Sequence, residues 1–180
     1  MGHFKLLLPL GDRPVITHCI EAFLQSGIRD IIIVTGRDGH AIQQALQDLP
    51  VTIIQNPVPD SDMAGSVRAG FMEAIGEGIF ILPADFPLVS PETIAGMICM
   101  FGEGQRIIIP RWRGKNGHPV LFPRSRLFSI FGVPTLRDVI ALHKDDVQYI
   151  DVADEGVVLD MDTPEDYREV LLRYAEGVSL

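Results

Sequence analysis

Gly78-Ile-Phe-Ile-Leu82-Pro-Ala-Asp85-Phe-Pro87 is the stretch on which the fold turns. Gly78–Leu82 is apolar without alternation, the pattern of a strand buried on both faces. Pro83 ends the run, and an aspartate follows within three residues. In sheets covered on both faces, ligands bind in the crevice beyond the strand carboxyl ends. Asp85 therefore directs a carboxylate into such a crevice. A hard cation such as Mg²⁺ takes oxygen ligands of this kind, often one or two carboxylates plus substrate phosphates. The other reading is a turn organised by Asp85, with Pro87 fixing the backbone.

Outward from this stretch, helical and extended patterns alternate. Pro14 suits a first helical turn, and Val15–Ser26 is helical up to Gly27. Asp30–Thr35 reads as a second doubly buried strand. Asp38 can cap a short helix reaching Asp48, and Val51–Ile54 reads as a strand. Ala64–Ile75 is helical. Ser90-Pro91-Glu92 supplies a cap, a first-turn proline and a first-turn acid. Further strands are predicted at Arg106–Ile109, Pro119–Phe122, Gln148–Val152 and Val157–Leu159. Thr163-Pro164-Glu165-Asp166 opens a last helix, its acids favoured by the helix dipole. Such alternation predicts a mainly parallel sheet covered by helices, in a single domain spanning residues 1–180.

Composition narrows the function. Of 180 residues, 47% are apolar, enough for a packed core. A net charge of −9 argues against nucleic acid or an anionic membrane as partner. No apolar run reaches the roughly 18 residues of a membrane span. The first residues carry no secretory-signal pattern, so a cytoplasmic protein is expected. Cys19 and Cys99 read as buried thiols in a reducing compartment rather than a pair.

Four more segments carry candidate chemistry. In Leu159-Asp160-Met161-Asp162-Thr163-Pro164, alternate residues of an extended segment point the same way, so Asp160 and Asp162 can face one site; helix capping is the competing use. Arg111-Trp-Arg113-Gly-Lys-Asn-Gly-His118-Pro119 places three cations and two glycines around one histidine. Arginine suits phosphate or carboxylate, and glycine lets backbone approach a ligand; an exposed basic turn is the alternative. Asn56 to Gly70 runs through small residues, among them Ser66, into a helix whose first amides can hold an anionic group. Lys5 is a candidate point charge for a phosphate.

Taken together, these segments resemble the MobA-like nucleotidyltransferases of molybdenum-cofactor biosynthesis, especially the molybdopterin cytidylyltransferase branch. Met1–Leu10 resembles the tail of the family's opening line, Leu-Ala-Ala-Gly-x-Ser-x-Arg-Met-Gly-x-x-Lys-x-Leu-Leu-Pro-Leu. Met63–Gly70 resembles the segment near the base. Ala84–Pro87 is similar to the Ala-Asp-x-Pro metal motif. Arg113–Phe122 is similar to Arg-Gly-x-x-Gly-His-Pro-Val-Leu-Phe, and Leu159–Asp166 to Leu-Asp-x-Asp-Thr-Pro-Glu-Asp.

The resemblance implies a Rossmann-like α/β fold with helices on both faces of the sheet. It implies transfer of CMP from CTP to the terminal phosphate of molybdopterin, with release of pyrophosphate. Lys5, Asp85 and Asp162 would be catalytic, the two aspartates holding Mg²⁺. Lys5, Asn56, Ser66 and Arg68 would meet the nucleotide, and His118 and Arg113 the acceptor. Small residues around Ala64 and Gly65 favour CTP over GTP. A molybdenum hydroxylase or its maturation factor is the implied protein partner. Two other readings are a catalytically silent nucleotide- or cofactor-binding relative and a sugar-phosphate nucleotidyltransferase.

The first strand of the family and the Gly-x-Ser-x-Arg half of its loop have no counterpart in residues 1–180. Three explanations fit: a start lying upstream, a naturally shortened inactive relative, or Phe4–Leu10 drawn into the vacant strand position, where Pro9 suits a central strand badly. The gap implies a groove flanked by unpaired backbone on two neighbouring strands, and weak turnover by the chain as it stands.

Overall fold

The computed structural model describes residues 3–36, 39–58, 62–102 and 105–177. A 3-10 turn, His3–Leu7, leads into β1 (Pro9–Leu10), which pairs antiparallel with β2 (Arg13–Pro14). Then come α1 (Val15–Gln25), β3 (Ile32–Thr35), α2 (His40–Ala45), β4 (Thr52–Gln55) and α3 (Met63–Glu73). The second half holds β5 (Gly78–Ile81), α4 (Pro91–Gly102), β6 (Ile107–Trp112), β7 (Lys115–Asn116), β8 (Val120–Pro123), α5 (Arg124–Leu127), α6 (Leu136–Leu142), β9 (Val147–Asp151) and α7 (Pro164–Ala175). Asp38, expected to cap α2, lies outside the described residues.

Strands β3 and β4 pair in parallel, as do β6 and β9. Strand β8 runs between β5 and β6, antiparallel to both, so β5, β6 and β9 share one direction. Strand alternation puts helices on both faces. Ile107, Ile109, Val120 and Phe122 pack with Ala64, Val67 and Phe71 of α3, whereas Ile108 and Leu121 pack with Met97 of α4. The fold is thus α/β with a covered, mainly parallel sheet.

Three expectations from the sequence are not met. Of the alternatives open for Phe4–Leu10, the central strand is not adopted: the segment forms the opening turn and β1. Leu6 and Leu7 pack against α1 and α2 instead. Between β3 and β5 lies a groove of about 810 Å³, lined by Ile20 and Phe23 of α1 and by Val67 and Phe71 of α3. Among the described residues β3 pairs only with β4 and β5 only with β8, so each turns one backbone edge to this groove.

Val157–Leu159 is the second departure. It is not a strand but the end of a 3-10 turn, Glu155–Val158. Its polar groups are satisfied by neighbours rather than by a ladder. The Asp154 carboxylate accepts from Gly156 N at 2.9 Å, and from Ser90 N at 2.9 Å and Thr93 Oγ1 at 2.8 Å at the start of α4. The Val157 carbonyl accepts from His118 N at 2.8 Å. Both contacts need glycine: a Cβ on Gly156 would stand 1.9 Å from the Leu88 oxygen, and one on Gly117 2.3 Å from the Val157 oxygen. This packing sets the backbone of His118.

Both cysteines are free, but only Cys19 is buried; Cys99 is exposed, on the outer face of α4. Among the described residues, no helix is long and apolar enough to cross a membrane.

Candidate active site

Three charged side chains from distant parts of the chain meet past the carboxyl end of β5. Lys5 Nζ donates to Asp85 Oδ2 at 2.7 Å and to Asp162 Oδ1 at 2.8 Å. Each partner is delivered by a local rule. Lys5 sits on the opening turn, which is pinned by the part-buried Leu6, Leu7 and Leu8 and the buried Leu10 that follow it and by Tyr167 Oη, which donates to Pro9 O at 2.5 Å. Asp85 follows β5 across the Leu82-Pro83-Ala84 turn. Asp162 immediately precedes Thr163, whose hydroxyl accepts from Asp166 N while the Asp166 carboxylate accepts from Thr163 N. That reciprocal cap fixes where α7 begins and where Asp162 stands.

Lys5 and Asp85 side chains are 17% and 16% exposed and Asp162 is 70% exposed, so the pair with Asp85 is the shielded one. Burial works against the Lys5 ammonium, but its hydrogen bonds to Asp162 and Asp85 outweigh it and raise its pKa. Asp85 Oδ1 is buried without a hydrogen-bond partner, an unusual state for a carboxylate oxygen. Burial and the neighbouring Asp162 charge raise the Asp160 pKa. The locus is therefore acidic, with one lysine between its carboxylates.

His118 lies beside this cluster. Its ring packs on Phe86, centroids 4.9 Å apart, and its Nδ1 is buried with no partner. Burial lowers its pKa, against the pull of Asp85 and of a hydrogen bond with the Ile81 backbone. The imidazole is therefore neutral at pH 7.

The remaining candidates fall into separate places. Asn56 N donates to Thr35 O at 2.8 Å, and Asn56 Nδ2 donates to Ser66 Oγ at 3.2 Å, joining the end of β4 to the first turns of α3. Arg68 donates from Nε to Ile130 O at 2.9 Å and from Nη2 to Val133 O at 2.8 Å, so its guanidinium ties α3 to the 130–133 segment. Arg113 is exposed on the β6–β7 turn, stacked over Trp112 at 4.5 Å. Phe86 and Tyr167 are structural parts of the site that the sequence did not single out. Phe86 had one usable signal, its place directly after Asp85.

The family model described as MobA-like NTP transferase domain matches residues 1–147. The chain belongs to this family. It is 28% identical over 178 residues to the molybdenum cofactor cytidylyltransferase of Escherichia coli K12, covering 98% of this chain and 91% of that protein. That similarity extends across Asp162, which lies beyond the family match. A nucleotidyl transferase from Methanothermobacter thermautotrophicus superposes with a TM-score of 0.84 at 22% identity, covering 96% of this chain and 86% of the other, which establishes the fold. Rv0371c of Mycobacterium tuberculosis in complex with manganese has a TM-score of 0.80 at 27% identity, covering 95% of this chain and 93% of the other. This MobA-like chain is therefore of the nucleotidyltransferase enzyme class.

Proposed function

We propose that this chain transfers CMP from CTP to the terminal phosphate of molybdopterin and releases pyrophosphate. The convergence of Lys5, Asp85 and Asp162 at one strand end carries the reading. Similarity to a molybdenum cofactor cytidylyltransferase over nearly the whole chain supports the substrates.

The residues fit a divalent cation. Two carboxylates share one cationic group, and Asp85 Oδ1 is buried without a partner. Asp85 and Asp162 would hold the ion, with Mg²⁺ as the proposed species. When bound, it supplies neutralisation of the charge that develops on the phosphates.

The chain's own groups do the rest. Lys5 binds phosphate oxygens as a point charge. Asn56 and Ser66, already joined to each other, orient the nucleoside. The small residues of Met63–Gly70 leave the base edge to be read by backbone groups, which favours cytosine. His118, held neutral by burial, orients the acceptor with one donor and one acceptor nitrogen. Arg113, on its exposed turn, meets the acceptor's phosphate. An oxygen of that phosphate attacks the α-phosphorus in line. The bond to the oxygen bridging the α- and β-phosphates breaks, and that oxygen leaves with pyrophosphate. Positioning and electrostatics account for most of the rate in such chemistry. Arg68 supports the site indirectly, by holding α3 to the 130–133 segment.

Thermal shift with each NTP and Mg²⁺ at equal concentration tests the nucleotide, and pyrophosphate release with molybdopterin tests the transfer. CTP should raise Tm more than GTP does. An equal or larger shift with GTP overturns the cytidylyl assignment.

A further inference from the structure

We propose that Lys5 and a divalent cation compete for the Asp85–Asp162 pair, so that cation binding displaces the Lys5 ammonium and frees it for the ligand's phosphates. The inference rests on the preceding reading that these carboxylates hold a metal, and it adds an order of events and a role for Lys5 before substrate arrives.

One ammonium stands 2.7 Å from Asp85 Oδ2 and 2.8 Å from Asp162 Oδ1. A Mg²⁺-type ion draws its oxygens in to about 2.0–2.1 Å, so ion and ammonium cannot both occupy the space between the same two oxygens. Like charges at such separations also repel strongly in a shielded site. A lysine already bridging the pair is therefore an internal cation that an incoming metal has to replace.

Replacement asks little of the fold. The part-buried Leu6 and Leu8 anchor the backbone of its segment. The ammonium rides on a flexible four-carbon stem, so the exchange is a side-chain rotation with the turn left in place. What drives it is also visible. Lys5 engages only one oxygen of Asp85, and the other, Oδ1, is buried with no hydrogen bond. A single positive charge leaves the two carboxylates under-neutralised; a dication matches them. Once released, the ammonium sits beside the ion, where a triphosphate held by that ion presents its oxygens.

The exchange makes Lys5 act with opposite signs on two ligands. It opposes the metal alone and favours the metal-bound nucleotide. Loss of a merely structural lysine would weaken both.

The test measures Mn²⁺ binding to the whole chain by the electron paramagnetic resonance signal of the free ion, without nucleotide. Lys5→Met and Lys5→Gln should bind Mn²⁺ on the order of ten-fold more tightly than wild type, since a competing charge is gone. Lys5→Arg keeps the charge and should bind no more tightly than wild type. Asp85→Asn should lose the site. With Mn²⁺ saturating, Lys5→Met should bind CTP on the order of ten-fold more weakly. Circular dichroism confirms that each variant is folded, and the Mn²⁺-induced shift in Tm repeats the comparison for any that is marginally stable. If the neutral variants bind Mn²⁺ no more tightly than wild type while Asp85→Asn loses it, the exchange is wrong and the metal site stands. If Lys5→Arg tightens as much as Lys5→Met, competition by charge is wrong. If Asp85→Asn binds Mn²⁺ as wild type does, the metal site itself is wrong and the exchange falls with it.

Discussion

Strand β6 and strand β5 are written in nearly the same alphabet, Ile-Ile-Ile-Pro and Gly-Ile-Phe-Ile, yet they live in different surroundings. Every residue of Ile107–Pro110 is buried, whereas Gly78–Ile81 is half-buried along its whole length. Strand β6 has β8 on one edge and β9 on the other. Strand β5 has β8 on one edge and the groove on the other, and β3 faces the groove from the far side with Ile32–Val34 half-buried. Apolar character makes a strand able to be central; a partner on each edge makes it so. The site belongs to the less supported strand, because Asp85 follows β5.

Hydrogen exchange reads this contrast at its largest. Backbone amides of β6 and β8 should exchange near the rate set by global unfolding, and those of β3 and β5 that face the groove should exchange orders of magnitude faster. Equal protection across all four strands would mean that the groove edge is as well supported as the centre. Mutational cost should follow the same line. Phe122→Ala removes a ring wholly buried in the α3-side core and should cost about 3–5 kcal/mol in a denaturant titration. Ile33→Ala, beside the groove, should cost less, about 1–2 kcal/mol, because its side chain is already part-exposed. A reversed order would refute the contrast.

A smaller effect comes from acid. Burial lowers the pKa of both His118 and His18 below the ordinary histidine value. A folded-state pKa below the unfolded one means that the folded state resists protonation. The stability these groups contribute is therefore complete above about pH 6.5 and lost as pH falls through the lowered values. Denaturation midpoints taken from pH 8 down to pH 5 should fall, and His118→Gln should flatten that fall. An unchanged slope in the variant would show that His118 titrates as an exposed imidazole.

Much of this was legible in the residues, for physical reasons that differ by element. Thr163-Pro164-Glu165-Asp166 announced α7 because a reciprocal cap is local chemistry, and the cap is present. Asp30–Thr35 and Gly78–Leu82 announced strands because uninterrupted apolar runs have few other uses. Val157–Leu159 looked the same and became a 3-10 turn, because its fate was set by Asp154, Leu88 and His118 rather than by its own side chains. Phe4–Leu10 likewise took its conformation from α1 and α2. In the site, Lys5, Asp85 and Asp162 could be named one at a time, but no local pattern says that one ammonium would bridge both acids. Arg68 illustrates the converse: the family resemblance implied a nucleotide contact, and the structure engages its guanidinium with two carbonyls. Cys99 sat in a helical apolar pattern, and the pattern did not specify which face of α4 it would take.

At the centre is whether the Lys5–Asp85–Asp162 locus binds a metal-nucleotide. Isothermal titration of CTP into the chain, with Mg²⁺ and with chelator, measures it, repeated on Asp85→Asn/Asp162→Asn after its fold is confirmed. Binding should require Mg²⁺ and weaken at least about ten-fold in the double variant, since two carboxylate ligands are lost together. Binding of equal strength with chelator, or in a folded double variant with Mg²⁺ present, would contradict the metal-nucleotide assignment.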